Sequence, residues 1–336
     1  MAAPAPTDAE RALSELFESR AAAFTAAPAD EQRTEAFRRF AAAGLPHRRI
    51  EAYKYTDLRA RLRTLPPAAS APSDADIDAV LAAHPPLVEG AHRIVLANGR
   101  LVAGRSSVPA GVRLASILSL EADTSRVGTL VADSDDPLTL ANVALFDGGV
   151  VLHVDAKAEA PVEIVHVATE DALIMGRFAV FVEGGADATI IERFIGRAQA
   201  LNNALAEVTL ADEAHLSMVR ISHGQDEAST TLSTHHLHLG KHAKLDHLTL
   251  STGLGLARNQ GFCGIHGDEA EANFRTAVVA IGKRHSDTTL VMRHNALHSN
   301  SSEIFRSAVG EEGKSIVQGR INVDPGAQKT DASMMS

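Results

Sequence analysis

From about Val150 to Ala327 the sequence repeats itself. An alanine recurs at Ala158, Ala172, Ala186, Ala200, Ala214 and Ala228, each 14 positions after the last. After a slip of one residue the series runs on through Ala243, Ala257 and Ala270, then, past a gap, Gly313 and Ala327. Several members share a local pattern in which an apolar run ends, a short Gly/Asp turn comes next, then the small residue, then a new apolar run. Val182-Glu183-Gly184-Gly185-Ala186, Leu210-Ala211-Asp212-Glu213-Ala214, Leu239-Gly240-Lys241-His242-Ala243 and Val323-Asp324-Pro325-Gly326-Ala327 are examples. Such a unit holds one strand, a turn and a short extension, and two units, about 28 residues, make one coil of a solenoid. The small residue fits because stacked turns crowd one another. The spacing therefore predicts a mainly β fold, a parallel β-helix, with room for roughly six or seven coils.

Other repeat architectures fit poorly. Hexapeptide helices have a shorter period, and calcium-binding nonapeptide repeats need many Gly-Gly-x-Gly-x-Asp units where this chain has a lone Gly184-Gly185. Leucine-rich, ankyrin and tetratricopeptide repeats carry helical periodicity, whereas His236-Leu237-His238-Leu239 and Ala188-Thr189-Ile190-Ile191 alternate with period two.

Ahead of the repeats the pattern is helical. Thr7 to about Ala26 places Leu13, Leu16, Phe17 and Phe24 on one stripe, and Thr7 with Glu10 three positions later reads as a capping box. Ala29 to Ala43 repeats the stripe with Phe37 and Phe40, and Gly44-Leu45-Pro46 stops it. Arg48 to Leu58 holds both tyrosines of the chain and reads as a basic-aromatic strand or turn that packs the helices onto the remainder of the chain. Leu65 to Pro72 is a Pro/Ala-rich linker, Asp76 to Ala83 a short helix, and Arg93 to Ala103 a hairpin turning at Asn98-Gly99. Thr139 to Ala144 is a short mixed stretch, and Val150 to Val154 opens the solenoid. The expected division is residues 1–64 as a helical N-terminal region, 65–92 as linker and short helix, and 93–336 as the β-helix core.

Charge and composition narrow the function. A net charge of −10 argues against a nucleic-acid partner, since there is no basic excess to release counterions. No run approaches the roughly 18 apolar residues of a membrane span, and the N-terminus lacks the basic start and apolar core of a signal peptide. A single cysteine, Cys263, excludes an internal disulfide, and a cytoplasmic protein is expected. With 4% aromatic residues and no Trp, the chain offers few platforms for sugar rings, which speaks against a β-helix carbohydrate-active enzyme.

Histidine is the plentiful reactive residue, with 16 copies, concentrated at His235, His236, His238, His242 and His247 and again at His285, His294 and His298. On a strand, His236 and His238 share one face and His235 takes the other. Two same-face histidines and one from a neighbouring coil make a ligand set for zinc, iron or copper, so a histidine-lined metal-binding protein is one reading; hydrogen-bonded histidine ladders are the plainer one. Cys263 lies near His266 but beside a glycine-rich turn, where a lone cysteine is inert. Ser301-Ser302-Glu303 has no nucleophile-elbow context, and Gly253-Leu254-Gly255 lacks a phosphate-loop lysine and is a turn. Asp135-Asp136 sits in a loop with no evident partner. No catalytic and no cofactor-binding residue is assigned.

Two segments carry a resemblance. Glu51-Ala52-Tyr53-Lys54-Tyr55-Thr56-Asp57-Leu58 resembles the Glu-x-aromatic-Lys-Tyr-Thr-x-Leu signature found after the N-terminal helices of the SufD family. Gly319 to Ala332, with Ala327-Gln328-Lys329-Thr330-Asp331-Ala332 at its end, is similar to the last-coil motif shared by SufD and its paralogue SufB, and His294 to Phe305 resembles the approach to it. The resemblance implies a right-handed, flattened parallel β-helix with a helical N-terminal region. It implies a non-catalytic scaffold subunit of the SUF (SufBCD) system for iron–sulfur cluster assembly, pairing with SufB-like and working with SufC-like ATPase subunits; homodimerisation stays open. A cluster normally takes four thiolates, so with one cysteine this chain is expected to hold none alone and to meet one only with a partner subunit. In the family the last-coil motif continues into further strands, a Cys/His-bearing segment and an ATPase-binding helical domain; this C-terminal helical domain is expected to be absent here.

Overall fold

A computed structural model describes residues 5–22, 28–119, 123–197, 199–224 and 226–336. Phe24 and Ala26, expected at the end of the first helix, lie outside the described residues. Among the described residues the α-helices are α1 (Asp8–Ala21), α2 (Pro28–Ala43), α3 (Leu58–Arg61), α4 (Asp74–Ala83) and α5 (Pro137–Leu145). The strands are β1 (His92–Ala97), β2 (Arg100–Leu101), β3 (Val112–Ser116), β4 (Val150–Val154), β5 (Val162–Ala168) and β6 (Leu173–Val182). They continue as β7 (Asp187–Gly196), β8 (Leu201–Leu210), β9 (His215–His223), β10 (Thr230–Leu239), β11 (Lys244–Thr252) and β12 (Leu256–Ile265). The last are β13 (Glu271–Ala280), β14 (His285–His294), β15 (Asn300–Val309), β16 (Lys314–Val323) and β17 (Asp331–Met335).

From β4 onward the chain alternates between two sheets. Sheet one has the order β16-β14-β12-β10-β8-β6-β4-β3, and sheet two β17-β15-β13-β11-β9-β7-β5-β1-β2. Successive coils pair in parallel, with steps from 26 residues (Thr230 to Leu256) to 31 (Asn300 to Asp331). This is the predicted β-solenoid. Its first coil is closed by two antiparallel pairings, β3 with β4 and β2 with β1, the latter across Asn98 (φ 47°) and Gly99 (φ 85°). That is the hairpin read from the Asn-Gly pair.

The corners explain the period. Ala186, Ala214, Ala243 and Ala270 stack where sheet one turns into sheet two, each at most 1% exposed. Each comes directly after a residue with positive φ: Gly185, Glu213, His242 and Glu269. Lys244 N donates to Ala214 O and Glu271 N to Ala243 O, so the amide after the small residue is satisfied by the coil before it, while Gly185 N and Glu213 N donate to the coil after, at Asp212 O and Lys241 O. The column continues as Ser299 and Thr330, since Asn300 N bonds Ala270 O and Asp331 N bonds Ser299 O. At the opposite corner Ala172, Ala200, Ser229 and Gly255 form the second column. The predicted series is therefore corrected at three places: Ala228 precedes its column by one residue, Ala257 lies inside β12, and Ala327 sits three positions before Thr330. Serine, glycine and threonine fill those corners, and corner length varies, so strict spacing by alanine drifts.

Three of the apolar clusters among the described residues hold the layers. Ile164, Phe178, Val208, Leu237 and Met292 belong to the lumen between the sheets. Leu13, Phe40, Tyr53, Leu145 and Leu205 belong to a second core, where the helices cover the outer face of sheet one. Ile77 of α4 packs on Val95 and Val165 of sheet two. Each large side chain buried this way stabilises by roughly 1.5–3 kcal/mol.

Helix α1 begins with the predicted capping box, Glu10 N donating to Thr7 Oγ1 and Thr7 N to Glu10 Oε2. Thr139 to Ala144, read as a mixed stretch, is the centre of α5, whose nine residues are all buried. Asp136 caps it and Pro137 starts it. The Pro/Ala-rich linker docks on β6, with Leu173 N donating to Pro67 O and Ala69 N to Leu173 O.

Candidate functional site

The segment from Arg48 to Leu58 forms no strand. It is a turn, a single 3₁₀ turn over Glu51–Tyr53, and α3, laid across the outer face of sheet one. Beneath it Arg258 of β12 and Asp287 of β14, both side chains 0% exposed, form an ion pair at 2.5 Å. The Tyr53 ring covers the guanidinium with Arg258 Cζ 3.9 Å from its centroid, and Arg258 Nη2 donates to Ala52 O. Thr56 is buried; its hydroxyl donates to Asp287 and lies 2.8 Å from His285 Nε2. Burial, reinforced by Arg61, Lys314 and Arg258, lowers the His285 pKa to about 4. Tyr55, by contrast, is 56% exposed. The signature thus encodes a lid over a buried charge pair.

A second set of polar contacts seats α5. Asp136 accepts from Tyr53 Oη at 2.5 Å and from Gln260 Nε2 at 3.2 Å, and Asp135 pairs with Arg39, so both loop acids have partners. Arg177 and Glu207, each side chain 1% exposed, pair at 2.7 Å, and the amides of Gly128 and Leu130 also donate to Glu207. His236 lies 3.1 Å from Thr139 Oγ1 and stacks on Phe262; burial depresses its pKa.

Inside the lumen a polar line crosses the coils. Glu192 Oε1 lies 3.2 Å from His166 Nε2 and Oε2 2.7 Å from His235 Nε2, while His235 Nδ1 is 3.1 Å from His247 Nε2. Arg220 donates to Ser233 O, Gln260 O and Thr249 Oγ1, and burial lowers its pKa to about 10. Burial opposes the charge on Glu192, but the two histidines more than compensate and hold its pKa far below the usual carboxylate range. Burial depresses both His235 and His247, His247 the more strongly.

The predicted histidine clusters are taken apart by the fold. His235 and His247 face the lumen, and His236 and His238 the outer face as alternation requires; His238 stacks on His266 at 4.4 Å. His242 and His298 occupy positive-φ corners. His285 lies under Thr56, and His294, fully buried, bonds Ser299 and Ser301. Among the described residues no group of three or more His, Cys, Asp or Glu side chains is placed to hold a metal ion. Cys263 faces the lumen, 1% exposed, where burial drives its thiol pKa well above the ordinary value. Glu303 is 1% exposed with neither carboxylate oxygen bonded, and burial raises its pKa to about 7. Sequence reasoning passed over Glu192, Arg220, Glu207 and Asp287, and met Glu303 only in setting aside Ser301-Ser302-Glu303 as a nucleophile elbow. Strand parity marks the lumen charges: Glu192 is in phase with Ile190 and Phe194, and Arg220 with Met218.

Two family descriptions match the two parts of this arrangement. The family described as SUF system FeS cluster assembly, SufBD core domain, matches residues 164–336, the coils from β5 onward. The chain belongs to the SufBD family. The SufBD protein N-terminal region matches residues 7–65, from the α1 cap through the lid. The iron-sulfur cluster assembly protein SufD of Escherichia coli is 24% identical over 152 residues, 45% of this chain and 36% of that protein. SufD of Bacillus subtilis is 22% identical over 205 residues, 59% of this chain and 47% of that protein. The chain thus spans less than half the length of either relative, and the SufD resemblance read from the two end motifs is borne out. No described helix is long and apolar enough to cross a membrane.

Proposed function

We propose that this SufBD-family chain is a non-catalytic scaffold subunit for iron–sulfur cluster assembly, pairing with a SufB-like subunit and working with a SufC-like ATPase in the cytoplasm. The observation that carries the reading is the joint match of both family segments, with the lid signature seated on the coils that the core match spans. The chemistry of the chain supports it. Its one cysteine faces the lumen, and a conventional cluster takes four thiolates, so the partner supplies most of the ligands. Two buried ion pairs, Arg258 with Asp287 and Arg177 with Glu207, neutralise each other and join the helical layer to the coils.

Anaerobic reconstitution with ferrous iron and sulfide tests this. Alone, the chain is expected to develop no stable cluster absorbance; with a SufB-like partner the complex develops it. A cluster held by the isolated chain at full occupancy would overturn the scaffold reading.

A further inference from the structure

Between residues 130–136 and strands β10, β12 and β14, the outer face of sheet one carries a cavity of about 430 Å³. Its floor is aromatic, in a chain with few aromatic residues. His236 stacks on Phe262 with ring centroids 4.8 Å apart, and two positions on His238 stacks on His266 at 4.4 Å. A glycine makes the second stack possible. Parallel register puts Gly264 beside His238 and Arg293, and the His266 ring lies over it, where a Cβ would come within 2.5 Å of His266 Nε2. Asn295 Nδ2, 3.2 Å from His266 Nδ1, holds the ring in place. Burial lowers the pKa of both His238 and His266, so the floor is uncharged at neutral pH.

Charge of both signs lines this floor. The segment contributes Asp133, Asp135 and Asp136, and β14 contributes Arg293. Two of the acids are engaged: Asp135 pairs with Arg39 at 2.6 Å, and Asp136 accepts from Tyr53, Gln260 and the Thr139 amide. Asp133 and Arg293, both exposed, make no hydrogen bond or ion pair among the described residues. One free carboxylate and one free guanidinium on the same cavity select against singly charged guests. A simple anion meets Asp133 and a simple cation meets Arg293, each a like-charge contact. A bare metal ion is no better served, since no three His, Cys, Asp or Glu side chains among the described residues are placed to hold one.

We propose that this cavity binds a small zwitterion, a molecule carrying one ammonium and one carboxylate group, with the carboxylate on Arg293, the ammonium on Asp133 and the carbons between them on the rings of Phe262, His238 and His266. A guanidinium presents paired N–H donors that match a carboxylate. An ammonium gains from a carboxylate and from aromatic faces together. The guest is neutral overall, so binding adds no net charge to the cavity, and no covalent bond is made or broken. The site uses neither the buried pairs under the lid nor the lumen, and it does not rest on the scaffold reading.

The test is a titration of the whole chain with glycine, β-alanine, γ-aminobutyrate and ε-aminocaproate near neutral pH, following the histidine ring signals by NMR. Saturable shifts at His238 and His266 are expected, with one of the four lengths bound most tightly. Acetate and ethylamine, which carry the two charges separately, should each bind roughly tenfold or more weakly than that best length. Asp133→Asn and Arg293→Gln should each weaken the best zwitterion roughly tenfold or more, and Gly264→Ala, which moves His266 off His238, should weaken it too. Four results overturn the site: no saturable shift with any of the four, acetate bound as tightly as the best zwitterion, ethylamine bound as tightly, or affinity unchanged in both charge variants. The wild-type titration with its two controls does not depend on whether a variant folds, and failure of cluster assembly with partners would not move it.

Discussion

Arg258 is a full positive charge in the middle of a sheet, stabilised because Asp287, Tyr53 and Ala52 O surround it. Removing one member of such a pair leaves the other uncompensated. Asp287→Ala should therefore cost about 3–5 kcal/mol. Thr56→Val, which strips the hydroxyl from Asp287 and His285, should cost about 1–3 kcal/mol. Urea unfolding checks both, and a loss below about 1 kcal/mol for Asp287→Ala would contradict the burial of the pair. The histidines set the response to acid. His235, His247 and His285 have folded pKa values depressed below the ordinary 6.5, His285 to about 4. The unfolded chain therefore takes up protons near pH 6.5 that the folded chain refuses, so stability is complete above about 6.5 and falls as pH drops toward 4. Glu192, depressed further, adds a loss only below that window. Thermal scans should show Tm constant from about pH 8 to 7 and falling below about 6.5, less steeply in His285→Asn. A flat profile down to about pH 4.5 would contradict neutral, buried imidazoles.

At the scale of the elements the corners govern. Ala214 is 0% exposed between Ala186 and Ala243, so Ala214→Leu should overpack the column and cost about 1–3 kcal/mol. Glu213, at φ 62°, holds a conformation that costs an L-residue roughly 1–2 kcal/mol, and Glu213→Gly should recover part of it. Equilibrium unfolding of the two variants should move in opposite directions; equal losses would contradict the corner assignment. These corners were legible as a period because the small residue answers a local steric demand. Their register was not, because Ser299, Gly255 and Thr330 meet the same demand without being alanine. Helix α5 was missed for another reason. Its stripe covers all sides, as befits a helix buried between layers, and only Asp136-Pro137 announces it. The lid signature was legible as a packing device, while its true object, a charge pair 206 and more residues away in sequence, was not.

For the whole molecule, the helical layer and the coils form one body through contacts that neither could make alone. Tyr53, Asp136 and Gln260 meet from three distant segments, and Gln318 of the penultimate strand donates to Glu51 O of the lid. Sheet two leaves Leu248 and Val279 partly exposed on its outer face. The scaffold account pairs the chain with a SufB-like subunit. The direct measurement is co-expression of the tagged chain with SufB-like and SufC-like subunits, then affinity capture and mass determination in solution. The account predicts a stoichiometric complex containing the SufB-like subunit. Recovery of the folded chain alone, with that subunit present and soluble in the same extract, would contradict it.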